Sequence, residues 1–117
     1  MPSLMPSEIV DDVRQVLLAA HRGRGCSSFL TAYQILDRLP PAIRARLISE
    51  RTVGGEGAGT EYGAPSVVAR AAMSIPGVQI EYMDSVGIAI QVDRRSVTPS
   101  YEVCGLYRLA NIDESVI

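Results

Sequence analysis

Lysine is absent from the 117 residues: all 11 basic side chains are arginines, from Arg14 to Arg108. That absence excludes Schiff-base chemistry, a lysine general base and the phosphate-gripping lysine of a P-loop. Histidine occurs once, as His21, so one chain holds no metal site built on two imidazoles. Cysteine occurs only at Cys26 and Cys104, without a CxxC pair, and asparagine only at Asn111. Long apolar runs are missing too. The stretch Val16–Ala20 falls far short of a membrane span, and the opening Met1-Pro2-Ser3-Leu4-Met5-Pro6 lacks the basic and apolar regions of a secretory signal. A soluble cytoplasmic protein with reduced thiols and no membrane partner is the expectation.

What is present suffices for one α+β domain over residues 1–117. Apolar residues make up 47% of the chain and charged residues 21%, so a core forms without disulfide or metal staples. Disorder and collagen-like repeats are excluded, and a net charge of −2 exerts no global pull on nucleic acid or anionic lipid. The exclusive use of arginine has two readings: a genome biased toward it, or selection for planar donors that grip carboxylate or phosphate.

Helical signals fill the first two-thirds. Ser7 is placed to cap a helix with Glu8, Asp11 and Asp12 in its first turn and Val10, Val13, Val16, Leu17 and Ala20 on its apolar face. His21-Arg22-Gly23 closes it. Thr31-Ala32-Tyr33-Gln34 has the form of a capping box, with Leu30 and Ile35 as its hydrophobic staple. Pro40 ends this second helix, and Pro41 opens a third with Ile43, Leu47 and Ile48 on one side and Arg44, Arg46 and Arg51 on the other. Residues 54–63 form a glycine-rich loop. Pro65 then opens a fourth helix that buries Val67, Val68, Ala71, Ala72 and Ile75, ended by Pro76-Gly77.

From Val78 the apolar period becomes two. Val78–Tyr82 and Ile88–Val92 alternate around Asp84-Ser85-Val86-Gly87, and Tyr101–Leu109 alternates after Pro99. The expected architecture is about four N-terminal helices followed by a three-stranded antiparallel β-meander.

Few residues offer chemistry. The glycine loop, with Gly55, Gly57, Gly59 and Tyr62, holds no GxGxxG, and Thr60 stands where a P-loop needs lysine. It reads as a linker or a point of close backbone approach, with an anion site on the amides before the fourth helix left open. Glu56 and Glu61 beside Tyr62 are solvated loop charges or, less simply, an acid/base pair. Cys26 lies five residues from His21, near Arg22 and Arg24, a pair that needs an orienting third group to act as a nucleophile. Neither a catalytic centre, a metal site nor a cofactor is implied.

Charge is segregated. Residues 21–51 carry six arginines against Asp37 and Glu50, whereas residues 52–117 carry four against eight acids. Such asymmetry suits a nucleic-acid face or electrostatic pairing between subunits, with Arg22, Arg24, Arg44, Arg46, Arg51 and Arg70 as the basic candidates. A winged helix-turn-helix would use Ser66–Ala72 as reading helix and a hairpin over 78–93 as wing, but Glu81, Asp84 and Asp93 make that wing acidic. The competing reading starts from the sheet. Helices cover one of its faces, and the other shows Gln79, Glu81, Met83, Ala89, Gln91, Cys104, Leu106 and Arg108. That mixture is apolar enough to be a subunit contact, with Met83, Ala89, Cys104 and Leu106 at its centre.

Phe29-Leu-Thr-Ala-Tyr-Gln-Ile-Leu-Asp-Arg-Leu-Pro, Gly55-Glu-Gly-Ala-Gly, Tyr62-Gly-Ala-Pro-Ser and Val103-Cys-Gly-Leu-Tyr-Arg-Leu together resemble small uncharacterised proteins of proteobacterial mobile elements, including integron gene cassettes. The likeness spans about residues 29–109. It implies a bacterial accessory protein and carries over no catalytic or binding residue. The sequence therefore points to a non-enzymatic protein that works by binding as a homo-oligomer, most simply a dimer. The alternatives are DNA binding and, more remotely, an enzyme built on the glycine loop.

Overall fold

The first helix begins later than its cap signal. In the computed structural model, which describes residues 3–21, 27–51, 53, 63–99 and 101–110, Pro6–Glu8 form a 3-10 turn. The helix proper, α1 (Val10–Ala19), follows Ile9, with no side-chain cap. Pro6 presets the tight turn, so Ser7 is spent inside it rather than at the helix start. Val13, Val16, Leu17 and Ala20 are buried as the spacing requires, whereas Val10 is only partly buried and Ile9, just before the helix, is fully buried.

The chain next makes a two-residue strand, β1 (Leu30–Thr31), that the sequence pattern did not signal. Thr31 ends β1 and caps α2 (Ala32–Arg38). Its Oγ1 accepts the Gln34 amide at 3.1 Å while its own amide donates to Gln34 Oε1 at 2.8 Å. The expected capping box is complete, and Leu30 and Ile35, its staple residues, are both buried. Pro41 opens α3 (Pro41–Glu50), which fully buries only Leu47, with Ile43 and Ile48 half-buried against the core.

The helix α4 (Ala64–Met73) lies at the centre. It packs against α1, α2, α3 and the first long strand, and Val67, Val68, Ala71 and Ala72 are fully buried. The small alanines allow neighbouring backbones to approach closely. Gly77 follows with φ +85°, a left-handed turn suited to glycine.

Helices come first in the chain and the long strands last, so the class is α+β. The strand pairing differs from a meander. β2 (Val78–Asp84) does not fold back on the following apolar run. The hairpin that does form joins β3 (Ile90–Val92) to β4 (Arg95–Val97) through Asp93 and Arg94, both at positive φ (51° and 65°). β2 instead pairs along all seven residues with β5 (Val103–Leu109), from Val78 opposite Leu109 to Asp84 opposite Val103. The order β1-β5-β2 makes a three-stranded antiparallel sheet, and β3-β4 a separate two-stranded one. Local bonds explain the change. Ser85 extends the β2–β5 ladder by donating its amide to Glu102 O at 2.7 Å and its hydroxyl to Tyr101 O at 2.7 Å. The Asp84 carboxylate accepts the Val86 amide at 2.9 Å, an Asx turn that diverts the chain.

Candidate functional site

One sheet face carries Leu30, Tyr107, Leu109, Val78 and Ile80 and meets the helices. Beyond them, where the helical layer ends, stand Tyr82 at 70% exposure, Val103 at 56%, Tyr101 at 67% and, in the adjoining turn, Val86 at 66%.

A pocket of about 120 Å³ opens between β5 and the first turn of α4. Tyr33, Gly63, Pro65, Ser66, Tyr101 and Tyr107 are among the residues that line it. Tyr107 is only 6% exposed. Its phenol occupies the space over Gly105, and a Cβ there would stand 2.5 Å from the Tyr107 hydroxyl. Burial, aided by Tyr82 and Cys104, raises the Tyr107 phenol above its ordinary value, so it stays a protonated donor. Gly63 and Val53, which flank residues 54–62, both line the pocket. The loop candidates Gly55, Gly57, Gly59 and Tyr62 themselves lie outside the described residues, as do Arg22, Arg24 and Cys26. The alternation over 101–109 puts Tyr101, Gly105 and Tyr107 on one face of a strand, but it does not say that this face meets the start of α4.

The opposite sheet face is not bare. The segment Ile88–Gln91 crosses beside it and forms an open groove of about 520 Å³ with Phe29, Met83 and Leu106. This groove unites three of the expected contact residues, Met83, Ala89 and Leu106. Cys104, paired with Met83, points to the same face but differs from them in being 6% exposed, and burial pushes its thiol up. Arg108 covers another part, its guanidinium 4.3 Å from the Phe29 ring centroid and its Nε donating to Gln79 Oε1 at 2.7 Å.

Among the described basic candidates, Arg46 and Arg51 both meet Glu50, while Arg44 and Arg70 stand apart from them. Arg44 and Arg46 stand about 200° apart around α3. Arg44 donates to Asp37 O at 2.8 Å and reaches the Asp93 carboxylate at 3.8 Å. Arg46 pairs with Glu50 at 3.0 Å, and Arg51 donates to Leu4 O at 3.1 Å. Arg70 is exposed on α4, whose other residues mostly face the core. The wing over 78–93 is not formed, because β2 belongs to β5. His21 Nδ1 lies 2.8 Å from Ser27 Oγ, a bond that ties together the two ends of the segment between them.

Among the described residues, no cluster of three or more metal-ligating side chains occurs, and no helix is long and apolar enough to cross a membrane. No family model, curated protein or solved structure matches the chain.

Proposed function

We propose that this is a cytoplasmic bacterial accessory protein that works by binding, as a homodimer joined through the outer edge of β2. The observation that carries this reading is an unpaired strand edge beside exposed apolar side chains. Among the described residues β2 is an edge strand. The bonds Ala110 N to Gly77 O and Ser85 N to Glu102 O set the ladder phase, so Gln79, Glu81 and Met83 bond to β5. Ile80, Tyr82 and Asp84 then turn their amides and carbonyls outward. Seven residues long and free of proline, such an edge is a template for another strand.

A second copy fits it. Antiparallel self-pairing centred on Tyr82 sets the two tyrosines side by side and Glu81 opposite Met83 of the second copy. Like carboxylates are thereby kept from facing each other. The six strands form one continuous sheet, and Tyr82, Val86, Tyr101 and Val103 gain cover near the twofold axis.

Light scattering behind a sizing column tests the reading. The expected mass is twice the 12.6 kDa of one chain. Tyr82→Lys, at a position 70% exposed, should yield a monomer with unchanged circular dichroism. A wild-type protein that stays monomeric at high concentration overturns the dimer.

A further inference from the structure

We infer that the tyrosine pocket between β5 and α4 binds a small carboxylate with a compact apolar body, such as a single ring. The inference goes beyond the dimer reading: no β2 residue lines this pocket, although Tyr101 and Val103, which the dimer would cover, do.

Size sets the first limit. The pocket measures about 120 Å³ and is open on one side. A closed apolar cavity of about 150 Å³ accommodates benzene. One six-membered ring therefore fills this space, with its substituent held against the wall.

The wall chemistry sets the second. Val53, Pro65, Ala69 and Val103 supply apolar surface. Among the described lining residues no charged side chain occurs. Two independent features present hydrogen-bond donors. The first is the N-terminus of α4, a helix of ten residues whose N-cap is Gly63, without a side chain to cap the first turn. Pro65 has no amide, so the Ala64 and Ser66 amides remain to meet an acceptor at the positive end of the helix dipole. The second is Tyr107. The residue is 6% exposed and lines the pocket, its hydroxyl lies over Gly105, and it makes no hydrogen bond to a described residue. The phenol oxygen is not sealed from solvent, so an acceptor ligand in the open pocket can reach it. Donors from both sides and, among the described lining residues, no side-chain cation select a carboxylate small enough to sit between them. A phosphate, with more charge and no apolar body, leaves the valine, proline and alanine wall unused.

The probe is sodium benzoate, with benzyl alcohol as the uncharged counterpart of similar shape. In an amide NMR titration, benzoate should give saturable shifts at Ala64, Ser66 and Gly105, and benzyl alcohol should bind at least tenfold more weakly. Tyr107→Phe keeps the ring and removes the hydroxyl, and should weaken benzoate about tenfold. Ser66→Phe, at an exposed mouth position, should abolish binding while leaving the remaining spectrum in place. Absence of saturation, equal affinity for the alcohol, or benzoate binding unaffected by both substitutions overturns the inference. Repeating the titration on Tyr82→Lys separates it from the dimer, because the pocket is complete within one chain.

Discussion

The Tyr107 phenol fills the place that a side chain at Gly105 would take, its hydroxyl 2.5 Å and its ring carbon 2.9 Å from the position of that Cβ. Alanine in a strand ordinarily gains about 0.5–1 kcal/mol over glycine through the unfolded chain. Here the clash outweighs that gain, because the ring is buried and its displacement costs about 1–3 kcal/mol. Gly105→Ala should lower the urea midpoint. Adding Tyr107→Leu should recover part of the loss, a coupling that a double-mutant cycle measures.

Thr31 joins a strand, a cap and the core at 2% exposure. Thr31→Ala should destabilise by about 1 kcal/mol, and Thr31→Ser by much less, since serine retains the oxygen that accepts the Gln34 amide. Thermal unfolding of the two variants checks the order.

The β3–β4 turn places two non-glycine residues in the left-handed region. Arg94→Gly should stabilise the protein by about 1 kcal/mol. Asp93→Gly should not, because it removes the carboxylate that faces Arg44. The Asp93 amide also donates to Asp37 Oδ1 at 2.8 Å and holds the turn against α2 in either variant. Chemical denaturation of both variants tests the contrast.

Glu50 accepts the Leu4 amide at 3.0 Å and pairs with Arg46. The backbone bond foremost, then the two arginines, hold its carboxyl below the ordinary value against some desolvation. Its folded value lies below its unfolded one. The contribution to stability is therefore present above the unfolded value and lost as pH falls through the folded one. Wild type and Glu50→Gln should differ in melting temperature at neutral pH and converge on acidification below the carboxylate range. A constant difference across that range refutes the assignment.

Much of the helical part was readable because its determinants act locally. The Thr31–Gln34 box spans four residues, and the buried stripe of α4 repeats every three or four. The exception, Ser7, failed for an equally local reason, the 3-10 turn started by Pro6. The strands β2, β3 and β5 were readable as well, but neither β4 nor the strand partnership was. Alternation states that a segment has two faces and is silent about which neighbour it meets.

By itself the amino-acid order determined the class, the helix start at Pro41 and, to within one residue, that marked by Pro65, the buried stripe of the central helix and the exclusion of lysine chemistry. Each of these follows from contacts within one or two turns of chain. Only the tertiary structure decided that β2 joins β5, that Cys104 is buried, that Arg44 and Arg51 serve to tie distant segments, and that Tyr33, Tyr101 and Tyr107 share one pocket. Those outcomes depend on contacts as remote as Leu4 with Glu50 or Asp37 with Asp93, 46 and 56 residues apart, which no short-range pattern encodes.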